Sequence, residues 1–252
     1  MEIFSSVQGE GPHVGETTLF VRFGECDLRC GWCDSPQTWR PARRCRMEEA
    51  RGTGRFRERP NPVSLADALA AAEALELPAH RFVSLTGGEP LLQPEAVAAF
   101  ARAFRARGPR ILLETHGLAA EALAGVLPHV DVVSMDWKLA SDVRRESDPA
   151  HGPVPDFHAA HEAFLAAAAG APELVIKLIV TPASADEEME EVWRRVAKTA
   201  PEATLVLQPV TPTGRVREAP SAERLLALVV RASRVLRDVR LIPQTHKTIG
   251  AL

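Results

Sequence analysis

The alternation of short β-rich runs with longer helical segments is the feature that most restricts the fold of this chain. Apolar runs bounded by turn residues predict buried strands at residues 17–23, 81–86, 110–115, 131–137, 173–180, 204–210 and 239–243. Helical periodicity marks the segments between them, at residues 64–76, 94–107, 118–127, 156–169, 185–199 and 221–236. This order predicts an α/β fold with a parallel sheet, which is a full barrel, a partial barrel or an open doubly wound sheet.

Polar side chains and glycines follow nearly every predicted strand. In each of these architectures the chemistry lies at the carboxyl ends of the strands, which meet at one edge of the sheet. We therefore expect one shared cleft. The residues at these positions are Thr86, Gly87, Gly88, Glu89, Glu114, Thr115, His116, Ser134, Asp136, Lys138, Gln208, Gln244, His246 and Lys247.

The composition excludes several classes of protein and partner. A chain of 252 residues with 46% hydrophobic and 25% charged residues is typical of a globular protein. Its net charge of −3 argues against a nucleic-acid partner. No apolar run approaches the ~20 residues of a membrane span, and the first residues lack the pattern of a signal peptide. We expect a cytoplasmic protein with no membrane partner.

Residues 39–62 differ from the rest of the chain. They are rich in arginine, contain scattered glycine and proline, and show little periodicity. This composition predicts an irregular, solvated insertion and not a binding surface.

Three of the four cysteines lie within eight residues, at Cys26, Cys30 and Cys33. In a reducing compartment such a group indicates metal or redox chemistry and not a disulfide framework. A closed zinc site needs a fourth ligand, for which Cys45 is the remaining thiol. A catalytic zinc with an open position and a redox pair at Cys30 and Cys33 are further alternatives. A 4Fe–4S cluster held by three thiolates would leave one iron without a protein ligand.

The spacing C-x3-C-x2-C, in a loop after the first predicted strand, resembles the motif of the radical SAM superfamily. The resemblance implies a partial (β/α) barrel formed by a single domain over residues 1–252, with a 4Fe–4S cluster on the three cysteines. It also implies that S-adenosylmethionine chelates the open iron, with Trp32 near the adenine.

The segment TGGEP resembles the superfamily's GGEP segment, which contacts the methionine amino group. This match assigns Gly87, Gly88 and Glu89 to the cofactor. Strand order in the same superfamily places four further residues where ribose, carboxylate and adenine are held, namely Thr115, Ser134, Lys138 and Gln208.

The two ends of the chain narrow the resemblance. SSVQGEG near the start and PQTHK near the end are similar to segments of the 7-carboxy-7-deazaguanine synthase family. That family converts 6-carboxy-5,6,7,8-tetrahydropterin into 7-carboxy-7-deazaguanine with loss of ammonia, as a step toward queuosine and related nucleosides. The residues that this resemblance and their chemistry assign to the pterin are Gln8, Gly9, Glu10, Arg22, Thr86 and His246.

The family also implies Mg²⁺, a protein electron donor and a homodimer. A hydroxyl beside the cluster suits Mg²⁺, which prefers oxygen ligands, and here it is Ser35, with Thr38 as a substitute. The expected electron donor is a flavodoxin or a ferredoxin. Two other functions stay open at this point: an activase that generates a glycyl radical on a partner protein, and a non-catalytic zinc or iron protein.

Overall fold

The computed structural model describes residues 2–149, 152 and 156–251. The strands among these residues are β1 (Glu2–Val7), β2 (Thr17–Phe23), β3 (Leu28–Cys30), β4 (Arg44–Glu48), β5 (Phe56–Pro60), β6 (Phe82–Gly87), β7 (Arg110–Thr115), β8 (Val132–Asp136), β9 (Val143–Arg145), β10 (Leu174–Val180), β11 (Thr204–Pro209) and β12 (Val239–Leu241). The helices are α1 (Leu65–Ala74), α2 (Pro94–Arg105), α3 (Ala120–Leu123), α4 (His158–Ala168), α5 (Asp186–Thr199), α6 (Ala222–Ala232) and α7 (Thr245–Ile249). Short 3₁₀ turns occupy Gly11–His13, Pro36–Trp39, Leu77–Ala79, Pro90–Leu92 and Leu127–His129.

Ten of these strands form one sheet, in the order β12-β11-β10-β8-β7-β6-β2-β1-β4-β5. From β12 to β2 every neighbouring pair is parallel, as the sequence predicts. β1 runs antiparallel to β2, and the β4–β5 hairpin continues the sheet beyond β1. The edge strands β12 and β5 are not neighbours, so the sheet is an open, partial barrel and the predicted fold class is confirmed.

The inward face of the sheet is built in layers. Its lowest layer is an apolar cluster of one residue from each of five parallel strands, Phe82, Leu112, Val132, Val175 and Val206. Two residues further along the same strands, the inward positions become polar, because side chains alternate between the two faces of a strand. This second layer comprises Ser84, Glu114, Ser134, Lys177 and Gln208. The carboxyl ends of the strands therefore form a polar floor above an apolar base.

Two predictions about the first sixty residues are wrong. Residues 2–7 form β1, so the cysteine loop follows the second strand of the chain and not the first. Residues 39–62 are not irregular, because they contain the β4–β5 hairpin. In β4 the side chains of Cys45 and Met47 are buried in the core while Arg44 and Arg46 are exposed, which is the period of two expected of a half-buried strand.

Five helices, α1, α2, α4, α5 and α6, lie where the sequence predicts them apart from their ends, whereas α7 was not predicted. Ser64 caps α1 by accepting a hydrogen bond from the backbone N–H of Asp67 at 3.1 Å. The predicted helix over 118–127 shortens to α3 followed by the 3₁₀ turn at Leu127–His129, where Pro128 cannot donate to an α-helical ladder. Among the described residues, no helix has the length and apolar character needed to cross a lipid bilayer.

Candidate active site

A cleft of about 200 Å³ opens at the carboxyl ends of the parallel strands. Its walls come from four parts of the chain that are far apart in sequence: the loop after β1, the cysteine loop, the strand ends and the segment before α7. Most of the residues that the sequence assigned to chemistry line this cleft. They are Gln8, Gly9, Glu10, Arg22, Cys26, Cys30, Trp32, Cys33, Ser35, Thr38, Thr86, Gly87, Gly88, Thr115, Lys138, Gln208 and His246.

The cysteine loop is held to the rest of the protein through its backbone. Its β3 segment pairs antiparallel with β9. At Gly31 the N–H donates to the carbonyl of Asp142 at 2.7 Å, and the carbonyl accepts from the N–H of Arg215 at 2.8 Å. Both backbone groups of Gly31 are therefore held by other loops. The protein itself, and not only a bound cluster, fixes the positions of Cys30 and Cys33.

The three thiols suit a cluster better than a single metal ion. Burial raises the pKa of Cys26 to about 11 and that of Cys30 to about 12, so both are protonated until a metal displaces the proton. Among residues 2–149, 152 and 156–251, no three His, Cys, Asp or Glu side chains are grouped closely enough for one metal ion. Cys45 is buried in β4 and does not line the cleft, so the geometry does not support the closed zinc site.

The GGEP segment packs directly against the chain that leads into the cysteine loop. A Cβ added at Gly88 would lie 2.1 Å from the carbonyl oxygen of Glu25, so only glycine fits there. The backbone N–H of Gly88 donates to Phe23 O at 3.0 Å, and that of Glu89 donates to Glu25 O at 2.8 Å. These contacts tie the end of β6 to the loop that carries Cys26.

The Glu89 side chain, which the sequence assigned to the cofactor, is not among the residues that line the cleft. It is fully buried, and its carboxylate accepts hydrogen bonds from Leu91 N at 2.9 Å, Thr115 Oγ1 at 2.7 Å and His116 N at 2.7 Å. These protein donors occupy both oxygens of the carboxylate. Glu89 therefore joins the ends of β6 and β7, and Thr115 directs its hydroxyl hydrogen at Glu89.

His116 connects this junction to the cysteine loop. Its Nδ1 accepts from the N–H of Leu118 at 3.2 Å, so its Nε2 carries the proton and donates to Asp27 Oδ1 at 2.8 Å. Asp27 directly follows Cys26. The sequence marked His116 as a strand-end residue, but a pairing with Asp27, 89 positions earlier in the chain, has no sequence signal.

Three of the other predicted cofactor residues differ in how they face the cleft. The ammonium of Lys138 lies 4.6 Å from the centre of the Trp32 ring, which gives a cation–π contact at the cleft wall. Gln208 Oε1 is buried without a hydrogen-bond partner among the described residues, so it is an available acceptor for a ligand N–H. Ser134 lies one layer below Asp136 on β8 and lines a small cavity under the cleft, so the structure does not bring it to the cofactor side.

Lys177 on β10 is the centre of the polar floor, and the sequence prediction missed it. Its side chain is 5% exposed, and its ammonium lies 2.5 Å from Glu10 Oε2, 3.1 Å from Asp136 Oδ1 and 3.9 Å from Glu114 Oε2. Lys138 contacts the other oxygen of Asp136 at 2.9 Å. Asp136 thus lies between Lys138, on the side of the cysteine loop, and Lys177, on the side of Glu10.

The charges of this network stabilise one another. Burial alone would raise the pKa of Asp136, but Lys138 and Lys177 lower it to about 2. Burial alone would lower the pKa of Lys177, but Asp136, Glu10 and Glu114 hold it well above its ordinary value. Asp136 and Lys177 are therefore ionised at neutral pH, and a ligand that enters the floor meets these two fixed charges.

The two ends of the chain close the cleft on the side of Glu10. A Cβ at Gly9 would lie 2.0 Å from His246 Nδ1, so the ring of His246 rests directly on the glycine. The N–H of Thr245 donates to Gly9 O at 2.9 Å, and Gln244 Nε2 donates to Glu10 Oε1 at 2.7 Å. QGEG and PQTHK, which the sequence paired only by resemblance, are thus in direct contact.

The remaining predicted residues lie along the upper wall of the cleft. Arg22 on β2 forms an ion pair with Glu2 at 3.2 Å and still lines the cleft. Thr86 lies at the end of the neighbouring strand β6. Ser35 lines the cleft beside Cys33, whereas the hydroxyl of the buried Thr38 donates to Ser35 O at 2.7 Å. Ser35 is therefore the more available hydroxyl of the two.

Comparisons with known proteins show which family this chain is similar to. The family model of the radical SAM superfamily matches residues 21–197. The chain is 35% identical to a 7-carboxy-7-deazaguanine synthase from Geobacter sulfurreducens over all of this chain and 96% of that protein. It is 34% identical to one from Methanopyrus kandleri, over 98% of this chain and 92% of that protein.

Solved structures share the same fold. The crystal structure of QueE from Escherichia coli superimposes with a TM-score of 0.62 at 21% identity, over 97% of this chain and 92% of that one. A structure of TYW1 with a lysine–pyruvate adduct bound gives a TM-score of 0.56 at 11% identity, over 87% and 74% of the two chains. With the family model and full-length relatives above 30% identity, the chain belongs to the radical SAM superfamily and, within it, to the 7-carboxy-7-deazaguanine synthase family.

Proposed function

We propose that this protein converts 6-carboxy-5,6,7,8-tetrahydropterin into 7-carboxy-7-deazaguanine, with release of ammonia, in deazapurine biosynthesis. The observation that carries the proposal is the meeting of the three-thiol loop and the Gly9–His246 junction in one cleft. The thiol loop alone would suit any member of the superfamily. The junction supplies the additional wall that a specific small substrate needs.

The thiols and the nearby cleft residues fit the cofactors that membership of the superfamily implies. Cys26, Cys30 and Cys33 would hold a 4Fe–4S cluster, and the unpaired oxygen of Gln208 and the ring of Trp32 offer contacts for S-adenosylmethionine. When bound, the reduced cluster and S-adenosylmethionine supply hydrogen-atom abstraction from the substrate. The protein's own task is to orient the substrate and keep water away from it.

The charged groups of the cleft match the two ends of a carboxypterin. Arg22 is a planar fork suited to the substrate carboxylate. Glu10, which lies 2.5 Å from the ammonium of Lys177, is an acceptor for the N–H groups of the guanidine-like edge of the ring. Gln8 and His246 complete that end, with Gln8 fixed by the hydrogen bond from its Nε2 to Glu114 Oε1 at 3.1 Å.

Five further features belong to the same proposal. Ser35 supplies a hydroxyl ligand for Mg²⁺ beside the substrate carboxylate. A low-potential protein, such as a flavodoxin or a ferredoxin, delivers the electron. The chain acts as one radical SAM domain over residues 1–252, and it forms a homodimer in the cytoplasm.

The two alternative functions have less support. A glycyl-radical activase would share the cysteine loop and the GGEP segment, but its partner is a protein segment, and the Gly9–His246 junction narrows the cleft from the side. A structural zinc or iron protein would not need the contacts that Lys177 makes with Asp136 and Glu10 in the floor of the cleft.

Anaerobic turnover tests the proposed function. The reconstituted enzyme is supplied with dithionite, S-adenosylmethionine, Mg²⁺ and 6-carboxy-5,6,7,8-tetrahydropterin, and the products are identified by mass spectrometry. We expect 7-carboxy-7-deazaguanine, and none when any one component is omitted. Formation of 5′-deoxyadenosine without that product would leave the radical chemistry standing and refute the substrate.

A further inference from the structure

We propose that Gln244 is a positioning residue that fixes the carboxylate of Glu10 for the guanidine-like edge of the substrate ring, and that Asp34 in turn fixes Gln244. The proposal rests on the proposed function, because it assumes a pterin in the cleft. It goes further by naming the contacts that select a ring with a 2-amino group over a ring with a 2-oxo group. All three side chains line the cleft.

Glu10 is held at its backbone and at both carboxylate oxygens. Its backbone N–H donates to Gln8 Oε1 at 3.0 Å. Its Oε2 accepts from the ammonium of Lys177 at 2.5 Å, and its Oε1 accepts from Gln244 Nε2 at 2.7 Å. Because both oxygens are fixed, the protein itself defines the plane of this carboxylate before a ligand binds.

The two donors leave Glu10 able to accept two more hydrogen bonds. A carboxylate has about four acceptor positions, two on each oxygen. Lys177 and Gln244 each use one position on a different oxygen, so each oxygen keeps another. The two parallel N–H groups of a guanidine-like edge fit such a pair of oxygens as a bidentate contact. A ring with a 2-oxo group would instead present an oxygen to Glu10, and two acceptors cannot form a hydrogen bond.

Asp34 restricts the rotation of the Gln244 side chain. Gln244 Nε2 also donates to Asp34 Oδ2, at 3.2 Å. Both neighbours of this nitrogen are carboxylate oxygens, which accept, so the amide nitrogen and not the amide oxygen faces them. The ammonium of Lys247 lies 3.2 Å from the same oxygen of Asp34. The amide nitrogen of Gln244 therefore joins two carboxylates, and the second of them is itself held by a lysine.

The link through Asp34 sets the position of Glu10 relative to the cysteine loop. Asp34 directly follows Cys33, and the same loop is held at Gly31 by two backbone hydrogen bonds. The contacts thus connect a proposed cluster ligand, through Asp34 and Gln244, with the carboxylate that reads the substrate ring. In a reaction that removes one particular hydrogen atom, orientation of the substrate relative to the cofactor contributes strongly to the rate.

Gln244 is not needed merely to anchor the end of the chain. The N–H and the hydroxyl of Thr245 both donate to Gly9 O, at 2.9 and 3.2 Å. The ring of His246 also rests on Gly9. Because these contacts do not involve the Gln244 side chain, the segment stays attached when the amide is removed. A loss caused by that change therefore reports on Glu10 and Asp34.

Binding of two ring analogues tests the proposal without relying on turnover. The probes are 6-carboxypterin, which has the 2-amino group, and 6-carboxylumazine, which has a 2-oxo group in its place. Their dissociation constants are measured by calorimetry on the anaerobic, reconstituted protein with S-adenosylmethionine and no reductant. The test variant, Gln244→Met, keeps most of the side chain's length and removes the donor. The matched control is Gln93→Met, because Gln93 Nε2 donates to Gly24 O at 2.9 Å, outside the cleft lining.

We expect wild type to bind 6-carboxypterin at least about a hundredfold more tightly than 6-carboxylumazine, because a site built for N–H donors rejects a ring that lacks one of them. Gln244→Met should reduce this ratio at least about tenfold, which is the usual effect of losing a hydrogen bond to a charged group. Gln93→Met should leave the ratio within about twofold of wild type. Equal ratios for Gln244→Met and Gln93→Met would overturn the proposal.

Conservative variants separate positioning from a general loss of structure. Gln244→Lys restores a donor and should recover part of the preference for 6-carboxypterin. Asp34→Asn keeps an oxygen acceptor for Gln244 and should reduce the ratio less than Asp34→Ala does. Bound iron and sulfide should match wild type in Gln244→Met, because Gln244 contacts no thiol. If Gln244→Met does not fold, the two Asp34 variants carry the test, and equal ratios for them would overturn the proposal.

Turnover separates this proposal from the proposed function. With dithionite, Gln244→Met should form more 5′-deoxyadenosine for each 7-carboxy-7-deazaguanine than wild type does, because its substrate is less well oriented. Product formation by wild type, with an unchanged binding preference in Gln244→Met, would leave the proposed function standing and overturn the role of Gln244. Failure of wild type to form the product would refute the proposed function and remove the basis of this proposal.

Discussion

Replacing Lys177 with methionine should be one of the most destabilising single changes in the cleft. The substitution keeps most of the side chain's length and removes only its charge. It leaves Glu10, Glu114 and Asp136 in the floor, of which only Asp136 keeps a lysine contact, with Lys138. Removing one partner of a buried ion pair costs ~3–5 kcal/mol, because the other charges stay buried and uncompensated.

Urea unfolding, followed by tryptophan fluorescence, measures this cost. For an m-value of about 3 kcal/mol/M, the midpoint of Lys177→Met should fall by roughly 1 M or more at pH 7.5. The loss should shrink at pH 5, because Asp136 has lost one of the two lysines that lower its pKa and takes up a proton more easily. Arginine at the same position keeps the charge and should recover part of the stability.

Two controls decide whether the network causes the loss. Lys198→Met removes a lysine that is 79% exposed and lies 3.5 Å from Glu162, so it should cost less than about 1 kcal/mol. The double variant Lys177→Met with Glu10→Gln should lose less than the sum of the two single variants. A loss below 1 kcal/mol for Lys177→Met, or one that does not change with pH, would refute the assignment of a coupled ionic floor.

Three further predictions concern the cysteine loop, the Gly9–His246 junction and His161. Cys30→Ala should prevent assembly of the cluster, measured as bound iron and sulfide, while Cys45→Ala should retain both; a loaded Cys30→Ala protein would contradict the ligand assignment. Gly9→Ala places a methyl group 2.0 Å from His246 Nδ1 and should raise the KM for the pterin at least about tenfold, whereas Gly125→Ala, which has open space, should not. Burial lowers the pKa of His161 well below 6.5. Its contribution to the free energy of unfolding is therefore fully present above pH 6.5. As the pH falls below 6.5, that contribution decreases by up to ~1.4 kcal/mol per pH unit. Urea titrations from pH 7.5 to 5.5 should show a shallower dependence for His161→Gln, and equal slopes would disprove this role.

The parallel sheet was predictable because its central strands are continuous apolar runs. β6, β7, β8, β10 and β11 lie where the sequence predicts them, since a strand covered on both faces needs apolar residues throughout. β1 was missed because its sequence, EIFSSV, is short and half polar. The β4–β5 hairpin was missed because it lies at a sheet edge, where one side chain in two faces water and can be arginine.

Site residues that belong to a sequence motif were predictable, whereas those that reach the site through strand register were not. The three cysteines and the segments QGEG and PQTHK are recognisable sequence motifs, and the structure brings them together in one cleft. Lys177 lies in the middle of the apolar run ELVIKLIV, and its inward direction depends on how β10 is aligned with β8. Glu89 belongs to a recognisable motif, but the motif did not indicate that its carboxylate accepts hydrogen bonds from three protein donors.

The stoichiometry of anaerobic turnover is the most direct test of the function assigned to this cleft. Product, ammonia and remaining S-adenosylmethionine are quantified in one reaction of the reconstituted enzyme with 6-carboxy-5,6,7,8-tetrahydropterin. The account predicts one ammonia for each 7-carboxy-7-deazaguanine formed, and neither product without S-adenosylmethionine. Consumption of S-adenosylmethionine without ammonia or the deazaguanine product would contradict it.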